Sequence, residues 1–167
     1  MAEIIKKQDS RRTFIDTLIE LAEKDDKIVL IVPDVGFNYI EEFQQKFPKR
    51  YFNFGVTEAS TIIIASALAL EGFKPYVYSM IKFVVFRPYE MVRNAVVHHK
   101  ANVKLIGVKG SEKYKFLGFS HNLQHEAEDV RACKNIGLRT CVARTPKAVK
   151  KAIMRTYNDG KAAYIRI

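Results

Sequence analysis

The chain has 167 residues, 48% hydrophobic and 28% charged, which fits one globular domain with a full core and excludes a disordered or fibrous chain. No apolar run reaches the roughly 18 residues of a membrane span, and Met1–Lys7 lacks the apolar stretch of a secretory leader, so no membrane partner is expected. The net charge of +10 raises nucleic-acid binding as a reading, but the basic residues are scattered. Lys147, Lys150, Lys151 and Arg155 fall on the solvent side of an expected helix, and neither zinc-finger spacing nor an aromatic-basic RNA signature occurs. No nucleic acid is expected. Cys133 and Cys141 lack metal-type spacing and read as reduced thiols of a cytoplasmic protein.

Helical and strand periods alternate from end to end. Ser10 to Lys24 carries Phe14, Leu18 and Leu21 on one helical stripe. Ile28 to Val32 is a short, β-branched, wholly apolar run, the mark of a strand buried on both faces, and it ends at the loop signal Pro33-Asp34-Val35-Gly36. A short helix over Tyr39 to Phe47 and a strand at Tyr51 to Phe54 follow. Thr57 to Glu71 reads as a helix apolar all round, hence buried on every side, stopped by Gly72. Beyond it come a strand (Tyr76 to Ser79), a helix from Phe83 or Pro88 to His98, and a strand (Val103 to Val108). Lys109 to His125 is irregular, of a length at which loops carry function. Helix (Glu126 to Asn135), strand (Leu138 to Ala143), helix (Pro146 to Tyr157) and strand (Ala162 to Ile167) close the chain. The expectation is one α/β domain over residues 1–167: a three-layer α/β/α arrangement on a mostly parallel sheet of about six strands, with ligands at the carboxyl ends of the strands.

Glu58 stands out as a carboxylate in the first turn of the most apolar helix. Buried without a cation nearby, it would be driven toward its protonated form, the signature of a functional group. The plainer reading is a negative charge complementing the helix dipole, with Thr57 as N-cap. Local pattern leaves both open.

A wider pattern favours the first. Arg50-Tyr51-Phe52-Asn53-Phe54-Gly55-Val56-Thr57-Glu58 resembles the transketolase-family motif around the glutamate that touches the aminopyrimidine ring of thiamine diphosphate. Ala65 to Pro75 and Arg87-Pro88-Tyr89-Glu90-Met91-Val92-Arg93 continue the likeness in order, and Val32-Pro33-Asp34-Val35 resembles an upstream strand end. The series resembles the pyrimidine-binding (Pyr) domain of that family.

The resemblance implies a thiamine-diphosphate-binding Pyr-type fold and a transferase of two-carbon units. Glu58 would hydrogen-bond N1′ of the aminopyrimidine and favour its 4′-imino form, which takes the proton from the thiazolium C2. Phe83 falls where the family stacks an aromatic ring on the pyrimidine, with Met80 and Phe86 lining the same pocket. Gly118-Phe119-Ser120-His121-Asn122 resembles the loop whose histidine meets the substrate, and Asp34, Lys109 and Arg87 are further substrate-side positions. His125 beside His121 has no carboxylate to complete a metal site, and no metal ligand is expected in this chain. Leu117 replaces the family's acid four places before that histidine, Ala59 its glutamine after the catalytic glutamate, and Lys109 or a neighbour an upstream histidine. Substrate choice therefore departs from sugar-handling transketolases, and a subunit of a 2-oxo-acid decarboxylase or dehydrogenase is an alternative. A Pyr fold serving as a non-catalytic binding module is another.

No Gly-Asp-Gly diphosphate motif occurs, and neither a diphosphate-binding nor a C-terminal transketolase domain is expected. The resemblance therefore implies a chain inactive alone, with a partner subunit that holds the diphosphate through Mg²⁺ or Ca²⁺ in an α2β2 assembly. In isolation a homodimer is expected.

Overall fold

The computed structural model describes residues 9–110 and 112–167; the amino-terminal stretch considered as a leader lies outside them. Six parallel strands form one sheet: β1 (Ile28–Val32), β2 (Tyr51–Asn53), β3 (Lys74–Met80), β4 (Lys104–Val108), β5 (Arg139–Val142) and β6 (Ala163–Arg166), in the order β2-β1-β3-β4-β6-β5. Helices α1 (Ser10–Ala22), α2 (Glu41–Lys46), α3 (Glu58–Leu70), α4 (Glu128–Asn135) and α5 (Pro146–Asn158) connect them. The expected architecture and strand count hold.

Strand alternation explains the three layers. Successive side chains of a strand point to opposite faces. Ile28, Leu30 and Val32 of β1 accordingly join Tyr76, Ile106 and Ile165 under α1, α2 and α5, in a core that includes Phe14, Phe43, Val149 and Ile153. Val29 and Ile31 join Val77, Leu105 and Tyr164 under α3 and α4, with Ile62, Ala65 and Cys133. Both faces of β1 are thus covered, which is why its sequence is apolar without interruption. The basic face of α5 is exposed, as expected.

Two expectations are corrected. Helix α3 is buried along one side only: Thr61, Ile62, Ala65 and Ser66 are buried, but Ile63 is 50% and Leu70 60% exposed. The second apolar stripe, with Ile64 and the preceding Val56, faces outward. Hydropathy records that a face is apolar; it does not record what covers it. Further along, the stretch from Lys82 to His98 is not one regular helix. A π-turn at Lys82–Phe86 closes through the Arg87 N–H to the Lys82 carbonyl at 3.1 Å. A single α-turn follows at Tyr89–Met91, then a second π segment at Val92–His98. Pro88 has no N–H to extend the first turn, and such widened turns mark sites where a side chain is re-aimed.

One charge is buried in the sheet with an amide, and no carboxylate among the described residues, in hydrogen-bond contact. Lys104, at the start of β4, is 1% exposed and donates to the Asn102 side chain. Burial, offset in part by Asp159, pushes its ammonium down to about 8.

Candidate functional site

Strand order reverses at β1, which has β2 on one side and β3 on the other, and the crevice at such a switch point is where open parallel sheets bind ligands. A cavity of about 700 Å³ lies there, at the carboxyl ends of β1, β3 and β4. Its walls come from the loop after β1 (Asp34 to Tyr39), from Tyr78 and Met80, from Val108 to Gly110, and from Leu117 and His121; Arg11 and Phe83 complete it. The loop after β1 holds left-handed backbone at Asp34 (φ 55°), Gly36 (φ 95°) and Asn38 (φ 71°). A Cβ at Gly36 would lie 2.9 Å from Ile40 Cγ2 and 3.0 Å from Tyr78 Cε1, so this turn accepts glycine alone without repacking. Left-handed residues other than glycine are held by their surroundings and cluster at ligand sites.

Asn53, at the end of β2, ties the two loops of the site together. Its Oδ1 accepts from the N–H of Asp34 at 3.1 Å and of Gly55 at 3.0 Å. The motif contained this residue, but local pattern assigned it no role; its function is to register the loop bearing Asp34 against the one leading into Glu58. Arg50 of the same motif works elsewhere. It donates to the carbonyls of Ala22 (3.0 Å) and Asp25 (2.9 Å), closing the end of α1. Thr57 does not cap α3, since its hydroxyl donates to the Phe54 carbonyl at 2.8 Å.

Glu58 begins α3 as one of its buried residues. It is not isolated: Arg87 Nη1 donates to its Oε1 at 2.6 Å. The Arg87 guanidinium lies over the Phe83 ring, 3.7 Å from its centroid, and the His121 ring meets Phe83 edge-on at 4.9 Å. The widened turn makes this possible, placing Phe83 and Arg87 one turn apart with Phe83 buried and Arg87 partly exposed. Glu58, Arg87, Phe83 and His121 thus form a continuous row running into the cavity, which Phe83 and His121 line together with Met80, Asp34 and Lys109. Phe86 does not join them. Its ring packs against the core on the α3 side, with the Lys82 ammonium 4.7 Å from its centroid.

Behind the cavity a charged chain secures the far wall. Lys109 pairs with Glu126 at 3.0 Å, and Glu126 accepts from Arg166 at 2.7 Å. Arg166 also donates to Asp129 at 3.1 Å, and Asp129 accepts the Tyr164 hydroxyl at 2.5 Å. Asp129 and Tyr164 are fully buried, and burial with the adjacent Asp129 pushes the Tyr164 hydroxyl up. His121 Nδ1 lies 2.8 Å from Ser120 Oγ, which fixes the ring beside Phe83. His125 is exposed, apart from this row.

A carboxylate and an aromatic face, joined by one guanidinium, stand beside the crevice at the switch point of a parallel sheet, where such sheets bind ligands. Comparison with known proteins agrees: residues 6–167 match the family described as transketolase, pyrimidine binding domain. The chain belongs to that family. It is 33% identical over 159 residues to one of the subunits of apulose-4-phosphate transketolase from Phocaeicola vulgatus, covering 94% of this chain and 50% of that protein. To a putative transketolase C-terminal section of Methanocaldococcus jannaschii it is 31% identical, covering 94% and 49%. The chain thus spans about half the length of these curated relatives. Among solved structures, one described as a split gene transketolase, inactive beta4 tetramer, superposes with a TM-score of 0.81 at 24% identity over 94% of this chain and 50% of that one. The transketolase of Campylobacter jejuni gives 0.79 at 18% identity over 94% and 25%. At these identities the structures establish the fold.

Proposed function

We propose that this chain is the pyrimidine-binding subunit of a split, thiamine-diphosphate-dependent transketolase-type enzyme that transfers two-carbon units, with the diphosphate and its Mg²⁺ or Ca²⁺ held by a partner subunit. The observation that carries this reading is that one guanidinium, that of Arg87, joins the Glu58 carboxylate to the face of Phe83 beside the switch-point cavity. The group fits the residues: a stacking ring and a carboxylate are what an aminopyrimidine needs, and Arg87, itself a flat N–H donor, satisfies both here. When bound, thiamine diphosphate supplies the nucleophilic carbon and electron sink that no amino acid offers.

The chain's own residues do the rest. Glu58 holds the proton at N1′ of the pyrimidine, Phe83 stacks on the ring, and Met80 fills the pocket beside it. His121 faces the substrate from the loop, while Asp34 and Lys109 present an acceptor and a cation across the cavity. The outward apolar stripe of α3 begins next to Glu58 and runs through Ile63 and Leu70, so a subunit reaching the cofactor from that side would cover it. An α2β2 assembly meets this requirement. The relationship to an apulose-4-phosphate transketolase supports ketol transfer, with the substrate open because Leu117 and Lys109 depart from the family pattern.

The test is titration calorimetry of thiamine diphosphate with Mg²⁺ into this chain, into a candidate diphosphate-domain subunit, and into their mixture. Tight binding in the mixture alone, abolished by Glu58→Ala, is the expected result. Absence of binding in all three would sink the thiamine reading and leave a Pyr fold used as a binding module.

A further inference from the structure

The two contacts that would seat a pyrimidine are both already made, by Arg87. Its Nη1 is 2.6 Å from Glu58 Oε1 and its guanidinium carbon 3.7 Å from the Phe83 centroid. A guanidinium is planar, stacks on aromatic faces and donates N–H groups in its own plane. An aminopyrimidine that carries the proton at N1′ offers the same combination of a flat face and in-plane donors. Two such groups cannot share one ring face and one carboxylate oxygen, and the Glu58 side chain is only 9% exposed. The Arg87 side chain, 43% exposed, has a solvent path outward.

We infer that Arg87 is a built-in placeholder for the aminopyrimidine, closing the Glu58–Phe83 seat in the uncomplexed subunit and swinging out as the ring arrives. This rests on the proposed function and adds a regulatory device to it. The buried carboxylate keeps a cation until a ligand replaces it, which matters because an unpaired buried charge is destabilising. Other flat N–H compounds are held off, and the seat opens for a ring whose remaining contacts, the diphosphate anchor in the partner, add enough affinity to displace the arginine. Arg87 becomes the exchangeable part of the row, while Glu58 and Phe83 stay in place.

The experiment uses this chain alone with two small probes, thiamine (which needs no diphosphate site) and methylguanidinium, on the wild type, R87A, R87Q and E58Q/R87A. Methylguanidinium should raise the melting temperature of R87A in a concentration-dependent way and leave the wild type and E58Q/R87A unmoved. Thiamine, followed by ligand-observed NMR, should bind R87A and R87Q about tenfold more tightly than the wild type, the size expected when one partly exposed ion pair and one cation–π contact stop competing. It should also displace methylguanidinium from R87A. Equal or weaker thiamine binding by both variants overturns the placeholder and leaves the thiamine reading standing. Glu58-dependent methylguanidinium binding with no thiamine binding to any variant overturns the shared seat, while the cofactor assignment stands or falls on the calorimetry of the mixture.

Discussion

Two arginine–carboxylate pairs of this protein, each with an aromatic neighbour, do opposite work. Arg166 and Asp129 have side chains 5% and 0% exposed, and the Tyr164 hydroxyl completes the carboxylate. Arg87 and Glu58 are 43% and 9% exposed, and the aromatic partner offers its ring face instead of a hydroxyl. The first pair is saturated and sealed between α4 and β6, so nothing can replace either member. The second is sealed on the acid side and open on the base side, which is the geometry the placeholder proposal requires. On the function proposed above, burial of the base, more than the strength of the pair, would separate a structural ion pair from a ligand seat.

The largest expected effect comes from breaking the sealed pair. Asp129→Ala leaves the Tyr164 hydroxyl buried without its acceptor and Arg166 with Glu126 alone, and should cost about 3–5 kcal/mol of unfolding free energy, read from urea denaturation. A loss under about 1 kcal/mol would show that the two pairs do not differ in kind. Next comes Lys104→Met, which removes a buried ammonium whose neighbour is an amide. The fall from 10.5 to about 8, less one lost hydrogen bond, gives an expected gain of about 2 kcal/mol at pH 7. Below pH 8 lysine is charged in both states and the cost is full. Between pH 8 and 10.5 the unfolded chain binds the extra proton, so wild-type stability rises with pH and the advantage of the variant should shrink. An advantage that grows over that range would contradict the assignment.

At the open pair, Arg87→Ala removes a solvent-reached base but leaves Glu58 without its cation, so it should cost about 1–2 kcal/mol of unfolding free energy, less than Asp129→Ala, while changing ligand affinity as described above. A loss as large as that of Asp129→Ala would make Arg87 structural. The smallest effect belongs to the exposed Lys150–Glu20 pair, 2.8 Å apart but half exposed on both sides. Removing it should shift stability by less than about 0.5 kcal/mol and vanish at high salt.

Much of the framework was legible along the chain. The Ile28–Val32 run coincides with β1 because a strand covered on both faces has no polar position to blur its ends. The resemblance around Glu58 located the acid and Phe83, which the fold sets 25 residues apart in sequence on one row with His121. The Glu58–Arg87 contact was not legible, since it joins the start of α3 to the far side of a π-turn and neither segment's period encodes the other's position. Nor was the role of Asn53, an ordinary strand end until the loops after β1 and β2 close on its amide.

Periodicity and composition therefore determined the sheet, its two covered faces and, with the motif series, the family to which the chain belongs, because burial in a parallel sheet imposes its pattern on every strand. Only tertiary structure decided which apolar face of α3 is covered, which cation meets Glu58, and which charges are sealed. Those depend on the placement of segments far apart in the chain, which local hydropathy does not record.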